Sequence, residues 1–290
     1  LPFEIEPKLN TETQGFPMVE SFTQGGPAKL DSLVVQLGRI GDILNVIPPC
    51  LALGLHNILV MPQYRELLAG FSYMRPYLWS GDIENLTAAV VAAHQVADRV
   101  FVPQLFGLQQ PPNMPARTRD SFVRDQWDRL QPGFGDSWGT RPLIVDTRGI
   151  HEVRCSEERA VRCCNYHSGR KMLVVALDGI SGPYPNADEL RYHLRRQWDE
   201  AFDIVDLYRP LPRFLDLLGL YGNDVQHVAA GLIAIDSAPL HLTRATPTLP
   251  VFQLLRDGPD GTPKFSRVCT TQSYACNEWN LLDEWLGALR

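Results

Sequence analysis

The sequence predicts an α/β protein built on mostly parallel sheets. Three observations carry that prediction. Short, nearly continuous apolar runs such as "LVV" at 33–35 and "MLVVA" at 172–176 read as strands covered on both faces. Segments with apolar residues recurring at three and four read as helices, and they alternate with the strands. The alternation also runs twice, once in each half of the chain.

In the first half, residues 1 to about 29 hold prolines and glycines without a period and read as an irregular arm. Leu33 to Leu37 is the first strand, followed by the turn "GRIG". Ile43, Val46, Ile47, Cys50 and Leu51 then mark one face of a helix, which Pro48 and Pro49 are expected to kink or interrupt. "NILVM" (57–61) is a strand, "YRELLAG" a short helix, "LTAAVVAAHQVA" (86–97) a helix and "RVFVPQ" a third strand. The middle carries a predicted helix over 117–130 and a strand-like "PLIVD" at 142–146.

The second half opens with the strand in "KMLVVALDG" (171–179) and a helix over 188–198 with Asp188 as its N-cap. "FDIVDL" is a strand, "PRFLDLLGLY" a helix, "GLIAID" (231–236) a strand, "PLHLTRA" a helix and "TLPVFQLL" a strand. A final helix sets Leu281, Leu282, Trp285 and Leu289 on one side. The expected domains are 1–152 and 168–290, joined by a charged, cysteine-bearing linker over 153–167.

Composition narrows the function classes. At 44% hydrophobic and 21% charged residues the chain sustains a large core. A net charge of −6 gives no general attraction to nucleic acid or an anionic membrane, so phosphate binding needs a local patch. No apolar run is long enough to span a bilayer, and no signal peptide is visible at the start, which is not a Met. With few cysteines, a cytoplasmic setting is the expectation, although Cys269 and Cys276 are able to pair under oxidising conditions. Cys155, Cys163, Cys164 and His167 lie close together but lack the paired spacing of a zinc site, so plain thiols are expected there and no metal is assigned.

Two strand-to-helix junctions carry the chemistry, because ligands of open parallel sheets bind beyond the carboxyl ends of the strands. The first is "LGRIGD", with Asp42 at a helix start and Arg39 and Gly41 in the turn. The second is "IDSAPLHL", where Asp236 ends a strand, Ser237 is placed to cap the next helix and His241 lies one turn into it. The plain alternative is that each Asp is only a cap or a partner of the helix dipole. The "GRIG" turn matches neither the phosphate-loop nor the dinucleotide fingerprint, which sets aside a nicotinamide oxidoreductase.

Taken as an ordered pair, "LVVQLGRIGDILNVIPP" and "AAGLIAIDSAPLHLTRA" resemble the early and late motifs of glycosyltransferase family 9, the ADP-heptose lipopolysaccharide heptosyltransferase group, over roughly residues 31 to 256. That resemblance implies a GT-B fold, two Rossmann-like domains with parallel sheets facing a central cleft. It implies an inverting glycosyltransferase of hexosyl or heptosyl type, with Asp42 as general base and a nucleotide-sugar as donor; no Asp-x-Asp motif occurs in the chain, so a metal-independent enzyme is expected. Asp236, Ser237, Ala238 and His241 match the donor-side motif, with Gly179 and Ser181 in the turn after the second half's first strand. Ala238 stands where the family has Gly, and the family's Lys after that strand is missing, with no Lys or Arg before Arg191. The charge facing a diphosphate then falls to Arg39, Arg244 or Arg256. The acceptor is expected to be a saccharide.

Two other readings stay open. In "RTRDSFVRDQWDR", Arg117, Arg119, Arg124 and Arg129 interleave with Phe122 and Trp127, which suits phosphate contact and base stacking. That pattern fits the same chemistry on hydroxymethylated pyrimidines of phage-type DNA, with Arg124 and Arg129 on phosphates. Against it, Asp120, Asp125 and Asp128 nearly neutralise the segment, leaving a solvated helix with its aromatics packed inward. The remaining reading is a non-catalytic relic that binds a nucleotide.

Overall fold

The computed structural model describes residues 29–82, 85–103, 119–145, 170–179, 183–207, 229–245, 248–257, 263–264, 273–275 and 278–290. The predicted arm, the helix at 212–221, Ser181, the four candidate zinc ligands, Cys269, Cys276 and Arg117 lie outside them.

Two parallel sheets form the protein. The first contains β1 (Leu30–Val35), β2 (Asn57–Val60), β3 (Arg75–Leu78) and β4 (Ala97–Phe101), in the order β3-β2-β1-β4. The second contains β5 (Met172–Ala176), β6 (Asp203–Asp206), β7 (Ala229–Ala234), β8 (Val251–Gln253) and β11 (Ser273–Ala275), in the order β11-β8-β7-β5-β6. All pairings within both sheets are parallel. A small antiparallel hairpin joins β9 (Arg256–Asp257) to β10 (Pro263–Lys264). The helices are α1 (Ile40–Ala52), α2 (Leu86–Val96), α3 (Arg119–Leu130), α4 (Ala187–Trp198), α5 (Ala238–Leu242) and α6 (Trp279–Leu289).

Side chains alternate between the faces of each strand, and this period of two sorts the core into layers. Leu33, Val35 and Leu37 face α2, while Val34 faces α1. Leu173, Val175 and Leu177 pack with α4 and α6, while Met172, Val174 and Ala176 point the other way. That other way leads into the same apolar cluster as α1, so Val34, Ile43 and Ile47 share a core with Val174, Leu232, Leu240 and Leu242. Each fully buried Leu or Ile contributes about 1.5–3 kcal/mol of transfer free energy. The two sheets are therefore joined by packing, not only by chain.

The structure departs from the sequence expectations at several points. Pro48 and Pro49 do not interrupt α1, which runs through both. A proline at 49 removes the N–H that would bond the carbonyl of Asn45, and a buried carbonyl without a donor is costly. The indole Nε1–H of Trp127 on α3 supplies the missing donor at 2.7 Å. The strand β3 was not anticipated, because Arg75 and Pro76 hide its apolar pattern. "YRELLAG" forms short 3₁₀ turns rather than an α-helix. Residues 142–145 of "PLIVD" join no β-ladder, and the Leu143 N–H donates to the Arg244 carbonyl. Asn186, not Asp188, precedes the first turn of α4, and Asp188 lies inside that turn. Leu281 is exposed, and Leu286 takes its place beside Leu282 and Trp285. The aromatic part of the nucleic-acid reading also changes: Trp127 is fully buried against α1, so it offers no stacking surface, while Arg124 and Arg129 are exposed.

Candidate functional site

The turn from β1 into α1 is held by its own side chains. The Gly38 N–H donates to Gln36 Oε1 at 3.1 Å, and the Arg39 N–H donates to Asp42 Oδ2 at 3.0 Å. Asp42 is the third residue of α1 and reaches back to the residue before the helix, the acidic half of a capping box. The other half is absent chemically, since Arg39 has no acceptor to offer. A Cβ on Gly38 would lie 2.8 Å from both Asp42 Oδ2 and Gln36 Oε1, so these two side chains would have to shift to admit one. Gln36 is fully buried and its Nε2 has no partner. Tyr64 faces the same turn. Burial pushes its phenol pKa up and the charge of Asp42 adds to the rise, while Gln63 and Arg39 oppose it.

The second junction is packed onto the first. His241, on α5, is 1% exposed. A Cβ on Gly41 would lie 2.9 Å from its Cδ2 and 3.0 Å from its Nε2, so the imidazole rests on the bare backbone one residue before Asp42. Its Nδ1 lies 3.2 Å from Asn45 Oδ1 and its Nε2 lies 3.3 Å from Asp236 Oδ1. Both neighbours are acceptors as placed. Turning the Asn45 amide end for end puts Nδ2, which otherwise has no partner, onto Nδ1 and leaves the ring proton on Nε2. One turn further, Arg244 is buried with its guanidinium over the Trp127 ring and Nη2 donating to the Arg141 carbonyl at 2.9 Å. Arg141 in turn lies 4.3 Å above the Phe134 ring.

Ser237 precedes α5 but does not cap it; its hydroxyl donates to the Ile235 carbonyl at 3.3 Å. Pro239 in the first turn removes one of the amides an anion would use. Ala238 and Ser237 are half-buried, whereas Asp236 is buried. The two junctions pack together, with the His241 ring against the backbone of Gly41.

At the carboxyl edge of β5 and β6 the surroundings are acidic. Arg191 bonds Asp178 Oδ2 at 2.5 Å, Asp206 Oδ2 at 2.6 Å and Asp188 Oδ1 at 3.1 Å. Burial works against its charge, but the bonds and charges of Asp206 and Asp178 outweigh that and raise its pKa. Gly179 lies in the adjoining cavity of about 710 Å³ together with Asp178, Tyr184 and Arg191. Among the described residues no group of side chains has the make-up of a metal site, and no helix is long and apolar enough to cross a membrane. Gln36, Asn45 and Tyr64 were missed in the sequence reading. Asn45 had a signal, a lone polar residue amid "ILNVI" on a buried helix.

No protein-family model and no curated protein sequence matches the chain. Its structure is similar to the crystal structure of the glycosyl transferase family 9 from Veillonella parvula DSM 2008, with a TM-score of 0.51 and 13% identity over 89% of this chain and 88% of that one. A likeness at that identity is one of fold, and it runs through both sheets: the chain has the two-sheet α/β fold of that glycosyl transferase family 9 structure.

Proposed function

We propose that the protein is an inverting glycosyltransferase that moves a sugar from a nucleoside-diphosphate donor to an acceptor hydroxyl, with Asp42 as general base. The observation that carries the reading is the contact of Gly41 with His241, which brings the carboxylate turn of the first half and the Asp236–His241 junction of the second into one site. The fold likeness to a glycosyl transferase family 9 structure supports it.

In this reading the acceptor O–H gives its proton to Asp42 as the oxygen attacks the anomeric carbon. The bond from that carbon to the diphosphate oxygen breaks, and its electrons leave with the nucleoside diphosphate. A single displacement inverts the anomeric centre. Asp236 and His241, both buried, act through placement: they hold the start of α1, and so Asp42, against the second half. Ser237 and the amide of Ala238 are the groups left at this junction for the diphosphate. The carboxylates around Arg191 repel a diphosphate at the β5 edge, so Arg39, exposed in the turn, supplies the positive charge instead. The acceptor is a saccharide. The DNA-directed alternative loses one of its two stacking residues with Trp127 buried.

A panel of nucleotide sugars tests this reading. The matching donor should raise stability by about 2.7 kcal/mol at a hundred times its dissociation constant, and nucleotide release should depend on an added saccharide acceptor. Absence of both responses across the panel overturns it, and stabilisation without release in any acceptor mixture leaves a nucleotide-binding relic.

A further inference from the structure

A second cavity, of about 590 Å³, lies on the outer side of the second half, between α4 and the start of α6. Like its neighbour at the β5 edge it falls in the roughly 300–1,000 Å³ range of small-ligand sites. Aromatic rings form one side. Tyr192 is 66% exposed, and the half-buried Trp279 lies against His193 with ring centroids 5.1 Å apart. That side is held rigidly: His193 Nε2 lies 2.9 Å from Asp283 Oδ1, and the Trp198 indole donates to the same oxygen at 2.8 Å. Planar polar groups flank the rings, with Glu189, Arg196 and Gln197 all lining the cavity.

The chemistry selects the ligand. Glu189, Arg196 and Gln197 are exposed at the rim, so an apolar ligand would leave them in water and unused. A nucleotide would set its phosphates against Asp188 and Glu189. A pyranose presents an apolar C–H face to a ring and hydroxyls at its edge, which carboxylate, guanidinium and amide groups accept from and donate to. The two cavities also share Asp188 and Glu189, so the groove adjoins the cavity at the β5 edge. We propose that the α4–α6 groove is a binding site for a neutral saccharide chain, with Tyr192 and Trp279 as its platform and Glu189, Arg196 and Gln197 on its hydroxyls. The site does not rest on transfer chemistry, since it lies away from Asp42 and binds whether or not that residue is a base.

Affinity electrophoresis through gels cast with dextran, mannan or mixed-linkage glucan tests the site. At least one of these neutral polysaccharides should retard the wild-type protein. Tyr192→Ala, a change at an exposed position, should weaken the retardation constant roughly tenfold, the worth of one aromatic contact. Tyr192→Phe keeps the ring and should stay within about threefold of wild type. Tyr192→Ala should leave any acceptor-dependent nucleotide release unchanged, which separates this site from the transferase reading. The proposal is overturned if none of the three polysaccharides retards the protein, or if Tyr192→Ala is retarded as strongly as wild type. It is equally overturned if adenosine monophosphate displaces the polysaccharide, which would mark a nucleotide site.

Discussion

Gly41→Ala probes the contact that joins the two junctions. The new Cβ would lie 2.9 Å from His241 Cδ2 and 3.0 Å from Nε2, about half an ångström inside ordinary van der Waals contact. The ring has no easy retreat, because Asn45 holds one nitrogen at 3.2 Å and Asp236 faces the other at 3.3 Å. Overpacking of this kind costs about 1–3 kcal/mol. Alanine in a helix returns up to about 1 kcal/mol relative to glycine. The substitution should therefore destabilise the wild-type background by about 1 kcal/mol. In a His241→Ala background the obstacle is gone and only the helix preference remains, so the same substitution should stabilise by up to about 1 kcal/mol. Urea unfolding of the four proteins, read from midpoints at unchanged slope, measures this cycle. A coupling of about 1–3 kcal/mol with a change of sign is expected. Effects equal to within about 0.5 kcal/mol in the two backgrounds would refute the contact and remove the main support for a single composite site.

Two further outcomes follow from other residues. Asp42→Asn retains an oxygen able to accept from the Arg39 N–H, so stability should change by no more than about 1 kcal/mol, while turnover should fall by roughly 10²–10⁴ because an amide takes no proton. Near-normal turnover in that variant would leave Asp42 as a cap alone. The buried Cys50 thiol has its pKa raised above the ordinary 9.0 by desolvation, so the unfolded chain releases this proton first as pH rises. The contribution of Cys50 is fully present below about pH 9, and above it stability should drop by up to about 1.4 kcal/mol per pH unit. Cys50→Val should lack that part of the slope, measured against wild type by urea unfolding at pH 8 and pH 10.

Most strands of the parallel sheets were legible in the sequence because they are continuous apolar runs, β3 and β11 being the exceptions, and α1, α2, α4 and α6 because their apolar residues keep the helical period. What escaped was set by partners distant in the chain. The fate of Pro49 depended on Trp127, which lies on another helix and answers the carbonyl that the proline leaves open. "PLIVD" has the composition of a strand, but no ladder forms there. Asp42 and His241 were identified from their own junctions, yet the close approach of those junctions depends on Gly41 and Asn45, and the Asn45–His241 pair spans 196 positions. The acidity at the β5 edge was half visible. The missing Lys could be read off, whereas the gathering of Asp178 and Asp206 around Arg191 required the fold.

The apolar cluster shared by the two sheets has a consequence for exchange of parts between proteins. A second half taken from another protein of this fold and spliced behind residues 30–145 of this chain would bring its own surface to Val34, Ile43 and Ile47. It would also have to present an aromatic ring to the bare backbone of Gly41 and an acceptor to Asn45. The second half is therefore better altered by substitutions at the rim of its sheet, away from the shared cluster, than replaced whole as a cassette.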